Sequence, residues 1–190
     1  MSGSNASLLT PLAVGQSDAG DFSSWLGRPV QIGNETYVVC QASAAIASGS
    51  NGMQLVTAIS GGAGNFIVAL ATGAAGTAEI FNCGVIPWTH TGPIAAGASF
   101  LALRDSPGAV MLVIPAVTGG TGSVDTGTTL YANATGSTLS PVITGAAGTT
   151  GTTTQIDNAA KKAGYSLGAL TAVVAVSASV CYHAPFRGAD

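Results

Sequence analysis

From Trp25 to Tyr182 the chain alternates short apolar runs with Gly, Asn, Pro and Ser at intervals of about 8 to 12 residues, the punctuation of an all-β domain. Pro29–Ile32 and Glu35–Gln41 flank Gly33-Asn34, a two-residue hairpin turn. Met53–Ile59 and Asn65–Thr72 are joined across Gly61-Gly62-Ala63-Gly64, and further strands are predicted over Ala78–Ile86, Ala98–Arg104, Ala109–Val117, Thr128–Ala132, Leu139–Thr144 and Thr171–Tyr182. In the last of these, the period of two puts Val174, Val176, Ala178, Val180 and Tyr182 on one face and Val173, Ala175, Ser177 and Ser179 on the other. One face is apolar and the other small. The pattern predicts a compact sandwich or barrel-like domain of short antiparallel strands.

Two segments depart from this rhythm. Val117–Thr154 holds 13 Thr and 8 Gly, a composition that disfavours helix and predicts short strands between Thr/Gly-rich loops, with a flexible loop around 145–154. Just after it, Gln155–Ala163 can form one or two helical turns, with Thr154 or Asp157 as cap and Lys161 and Lys162 at the C-terminal end before Gly164. At the other end, residues 1–24 gather Leu8, Leu9, Leu12 and Val14 amid small polar residues without a sustained period. They read as an extended N-terminal arm on a β-rich body of 25–190, and Leu8, Leu9 and Leu12 are its candidate anchors on a neighbour.

Composition changes the picture from a generic β domain to an interface-rich one. Only 5 residues are Lys or Arg and 8 are Asp or Glu, 7% of the chain against roughly a quarter in ordinary soluble domains. A surface so poor in charge lacks the repulsion and hydration that keep monomers apart, which points to burial against other copies or a larger assembly. Membrane insertion as a helix is not expected, because no run reaches the roughly 18 to 20 apolar residues a span requires. Nucleic acid is not expected as a partner either: the net charge is −3, and Arg28, Arg104, Lys161, Lys162 and Arg187 form no basic stripe. Met1–Leu12 shows neither a basic stretch nor an apolar core of a leader, and Cys40, Cys83 and Cys181 form no CxxC, so synthesis in a reducing cytoplasm with free, buried thiols is expected.

Candidate chemistry is sparse. Asp125-Thr126-Gly127 followed by Thr128 resembles the active-site loop of aspartic proteases, which work with two carboxylates sharing a proton. No second such triplet occurs, so Asp125 would act only in a dimer; the plain alternative is a turn. Cys181 and His183 would point the same way on a strand, but two ligands do not make a metal site. No nucleophile elbow, zinc-protease or phosphate-loop motif is found, so no cofactor and no metal is expected. Trp25, Arg28, Trp88, His90 and Arg104 are instead candidate contact residues, since aromatics and arginines dominate binding hot spots; for the two tryptophans a core role stays open.

Four stretches carry a family resemblance: Gly27-Arg-Pro-Val-Gln-Ile-Gly-Asn-Glu-Thr-Tyr-Val-Val-Cys-Gln-Ala42, Ile94-Ala-Ala-Gly-Ala-Ser-Phe-Leu-Ala-Leu-Arg104, Gly127-Thr-Thr-Leu-Tyr-Ala-Asn-Ala-Thr-Gly136 and Gly164-Tyr-Ser-Leu-Gly-Ala-Leu170. In this cadence the chain resembles the head decoration, or cement, proteins of tailed bacteriophages, departing from them in residues 142–157 and in its long arm. The resemblance implies a β-rich structural virion protein, commonly a homotrimer, that binds the major capsid protein on the outer capsid surface and reinforces the shell against the pressure of packaged DNA. The alternatives are a trimeric phage fibre or adhesin module and the dimeric protease using Asp125.

Overall fold

The computed structural model describes residues 12–58, 66–70, 80–115, 122–132, 139–141, 162–172 and 174–184. Leu8, Leu9, the Gly61–Gly64 connection and the 145–154 loop lie outside them. The described chain is all-β, apart from a single turn of 3₁₀ helix at Ser23–Trp25. In chain order the strands are β1 (Ser17–Asp18), β2 (Pro29–Ile32), β3 (Glu35–Ala42), β4 (Gln54–Ala58), β5 (Ile67–Leu70), β6 (Ile80–Val85), β7 (Ser99–Val113), β8 (Gly122–Val124), β9 (Thr129–Ala132), β10 (Leu139–Ser140), β11 (Lys162–Ser166), β12 (Leu170–Ala172) and β13 (Val176–His183). The β2–β3 hairpin turns at Gly33-Asn34 as its sequence predicts, with Ile32 opposite Glu35.

β7 organises everything else. Its first half pairs antiparallel with β3, from Gln41 opposite Ser99 to Thr36 opposite Asp105. Its second half pairs with β13, from His183 opposite Asp105 to Val176 opposite Val113. Each half closes a five-strand circuit. One runs β7-β6-β4-β5-β3 and back to β7. The other runs β7-β13-β11-β9-β10 and closes where Leu139 pairs in parallel with Val113. A separate two-stranded sheet joins β12 to β8.

Each circuit has a core, and alternation along β3 and β7 feeds both. Val38, Cys40, Phe100 and Ala102 point into one cluster with Leu55, Val68, Cys83, Ile86 and Ile94. Tyr37, Val39, Leu101 and Leu103 point the other way and join Met111, Val113, Leu130, Leu139, Val180 and Tyr182. Strands buried on both faces read as unbroken apolar runs, which is how Val38–Cys40 and Phe100–Leu103 look in sequence.

Three sequence expectations are corrected. Ala98–Arg104 and Ala109–Val117 are not two separate strands; Ser99–Val113 forms the single 15-residue β7. Pro107 and Gly108 sit in a bulge, two residues facing one between the Ser106–Tyr182 and Ala109–Val180 pairs, where the missing proline N–H breaks no ladder bond. Conversely, Thr171–Tyr182 is not one strand: β12 pairs with β8 and β13 with β7, and Val174 in the connection is 62% exposed rather than part of the buried face. Lys162 and Ala163 start β11 instead of ending a helix; the rest of that expected helix lies outside the described residues.

β11 also contains the tightest approach to a glycine among the described residues. Gly164 has φ 151°, and a Cβ there would lie 2.0 Å from the Cys181 carbonyl oxygen, so only glycine fits between β9 and β13. Gly164→Ala is expected to unfold the second circuit or force its strands apart. Phe100→Ala, by removing the largest ring of the first core, should cost about 3–5 kcal/mol in urea-denaturation experiments.

Candidate interaction surface

The residues singled out from sequence fall into different environments. Leu12 is 5% exposed and packs in the same core cluster as Phe22, so it anchors its own chain rather than a neighbour. Residues 12–24 are tied to the body: Ser17 and Asp18 pair with Phe100 and Ser99, and Asp18 and Asp21 accept hydrogen bonds from the backbone N–H of Gly20 (2.7 Å) and Ser23 (3.0 Å). The Ser23 N–H also lowers the Asp21 pKa below the usual carboxylate value, because it stabilises the ionised form.

Trp25 and Arg28 do come together. Trp25 is half-buried against the core, and the Arg28 guanidinium lies 5.2 Å from its ring centroid, a cation–π contact worth roughly 0.5–1 kcal/mol at an exposed site. Trp88 and His90 share one loop but face opposite ways. Trp88 is 39% exposed, whereas His90 is 3% exposed and stands edge-on to Phe100, so the expectation that His90 is a surface contact is corrected. Arg104 is the extra residue where the β3–β7 register shifts, and its carbonyl accepts from Ala184 N–H at 2.7 Å.

Asp125 lies exposed on the turn between β8 and β9, closed by Thr128 N–H donating to the Asp125 carbonyl at 3.1 Å. The neighbouring Val124 is buried, whereas Asp125, Thr126 and Gly127 are exposed. Cys181 and His183 do share a face, as their spacing predicts, but His183 Nδ1 is 2.7 Å from Asp105 Oδ2 on an exposed part of the surface. Among the described residues no group of three or more His, Cys, Asp or Glu side chains gathers around one point.

One polar network is built with care, and it belongs to the fold. Tyr37 donates to Glu35, Ser106 Oγ donates to the other Glu35 oxygen at 2.8 Å, and Gly108 N–H donates to Ser106 Oγ at 3.2 Å. Burial, reinforced by the Glu35 hydrogen bond and charge, drives the Tyr37 pKa well above the ordinary tyrosine value. The network clamps β3 to β7 where β7 changes partners, and the donor and acceptor of the Ser106 hydroxyl are both committed to it.

The largest feature missed in sequence is the outer face of β11, β13 and β7. Tyr165 stands opposite Cys181; Leu167 donates its N–H to the Ser179 carbonyl; Ser179 lies opposite Val110, and Ser177 opposite Leu112. Tyr165 is 40% exposed and Leu167 47%, Ser177 and Ser179 are exposed, and Val110 and Leu112 are partly so. Solvent-facing positions of an antiparallel sheet ordinarily alternate in polar residues. Here they are serine and aliphatic or aromatic side chains, and His183, with Asp105 2.7 Å away, lies at one end. The signal was present as the small face of the last strand, but Tyr165 and Leu167 join it only once β11 is laid beside β13.

No protein-family model, no curated protein and no solved structure matches this chain.

The contrast between buried Leu12 and exposed Leu167 is directly testable. Leu12→Ala should cost about 2–5 kcal/mol of unfolding free energy, while Leu167→Ser should stay within about 0.5 kcal/mol of the parent protein by urea denaturation.

Proposed function

We propose that this protein is a structural virion component that binds the outside of a tailed-phage capsid lattice, commonly as a homotrimer, and reinforces it by bridging neighbouring major capsid subunits. The observation that carries the reading is the neutral sheet face of Tyr165, Leu167, Ser177, Ser179, Val110 and Leu112, on a chain with only 7% charged residues. Covering such a face with protein desolvates hydroxyls and apolar groups but no ions, so little of the contact energy is lost. Serine hydroxyls can keep hydrogen bonds to a partner's backbone, and Tyr165 is of the type that dominates binding hot spots. The two closed circuits supply a rigid support, leaving β2 at the end of the sheet path. The cadence shared with head decoration proteins supports the same reading from the sequence side. The protein would be made in the host cytoplasm and reside on the virion surface.

Mass spectrometry of purified virions should find the chain on heads at a copy number comparable to the capsid protein's lattice positions. Absence from heads, or presence at only a few copies, rejects the proposal. Particles that instead release long trimers stable in SDS until boiled would identify a fibre module. On heads stripped of the protein, the double variant Tyr165→Asp, Leu167→Asp should fold normally and bind roughly 30-fold more weakly, the equivalent of about 2 kcal/mol of lost contact. Unchanged occupancy in that titration would remove this face from the contact.

A further inference from the structure

His90 lies in the connection from β6 to β7 and is almost fully enclosed, yet neither ring nitrogen reaches a hydrogen-bond partner. A buried imidazole without partners is stable only when neutral, since an enclosed positive charge without a counter-charge is costly. Burial accordingly holds its pKa below the ordinary histidine value, against the opposing effect of the Gly92 backbone and of the backbone of His90 itself. The turn that presents the ring is closed by His90 N–H donating to the Pro87 carbonyl at 2.9 Å, and Asn51 Nδ2 donates to the Trp88 carbonyl at 3.3 Å.

This loop is also what the N-terminal segment rests on. Gly15, with φ 81°, passes so close to Thr89 that a Cβ would lie 2.9 Å from the Thr89 carbonyl oxygen. Two residues on, β1 contributes only two pairs, Ser17 with Phe100 and Asp18 with Ser99. Phe100 is the ring that His90 meets edge-on, with centroids 6.2 Å apart. The segment therefore touches both the backbone beside His90 and the strand His90 packs on; its own ladder is minimal, and its other anchor is Leu12, buried in the cluster with Phe22. We propose that the Pro87–Gly92 loop is an acid-released latch: with neutral His90 it holds residues 12–18 against β7, and protonation of His90 expels the ring and frees that segment.

The sign follows from linkage. A ring that titrates ordinarily when released but resists protonation when docked takes up its proton chiefly in the released state. Docking is therefore complete above about pH 6.5 and weakens as pH falls below it, by up to tenfold for each unit, until the docked ring itself titrates. Phe100 from β7 and Ser50 and Asn51 from the preceding turn carry no charge, and the loop has no other ionisable side chain. The N-terminal segment brings Asp18 and, beyond it, Asp21, whose carboxylates are engaged by Gly20 and Ser23 N–H.

Hydrogen–deuterium exchange of the full-length protein tests this, read on peptides covering residues 12–18 at pH 7.5 and 5.5 and corrected for intrinsic exchange. The opening constant of that segment should rise about tenfold at pH 5.5, while peptides from β13 stay protected. His90→Phe and His90→Gln should each abolish the acid response, whatever their effect on basal stability, and His183→Gln should retain it. The latch is overturned if the parent protein shows no acid response, if both His90 variants keep it, if His183→Gln removes it, or if β13 opens in parallel.

Discussion

The structure depends on one strand having to satisfy two cores at once. β7 sends Phe100 and Ala102 into one hydrophobic cluster and Leu101 and Leu103 into another, so neither face of its first half is available to water. A 15-residue strand so placed must find hydrogen-bond partners on both edges, because unpaired N–H and C=O groups in such a setting would each cost free energy comparable to a lost hydrogen bond. The result is two circuits sharing a wall, with Leu103 paired to Tyr37 on one edge and Val85 on the other. Closing both circuits removes most sheet edges, which matters for a protein with so little charge to keep exposed edges apart.

Where β7 passes from one circuit to the other, the chain is under the strongest local demand. Asp105 is opposite both Thr36 and His183, and the bulges at Arg104 and at Pro107-Gly108 fall on either side. The Tyr37–Glu35–Ser106 network lies at the same place. A partly buried carboxylate held by two hydroxyl donors ties β3 to β7 at the crossing. The same crossing exposes Asp105 and His183 on the outside, 2.7 Å apart.

Neutrality therefore has two consequences that act at different levels. On the outside, serines and aliphatic side chains on β13, β11 and β7 present a surface suited to being covered. On the inside, His90 is enclosed with both ring nitrogens unpartnered, and Gly15 of the N-terminal segment passes against the Thr89 carbonyl beside it. Both arise because the chain has few ions to place, so hydrophobic and steric contacts carry roles that salt bridges carry in more charged domains.

How much of this was legible in the residues can be judged element by element. The hairpin at Gly33-Asn34, the all-β class and the inward Ala178, Val180 and Tyr182 follow from local period and turn chemistry, which act over a few residues and survive in any context. The unity of β7 does not: Asp-Ser-Pro-Gly is ordinary turn sequence, and only the partners on either side hold it extended as a bulge. Leu12 and His90 looked available for contact because short segments rich in small residues give no sign of what covers them; distant strands supply the cover. Likewise, the neutral face exists only after β11 is placed beside β13, since Tyr165 and Cys181 become neighbours through pairing. Local sequence determined the all-β class, the Gly33-Asn34 hairpin and the direction in which side chains alternate along β13. Tertiary pairing alone decided which of those faces are enclosed, because burial is a property of the neighbours a strand acquires.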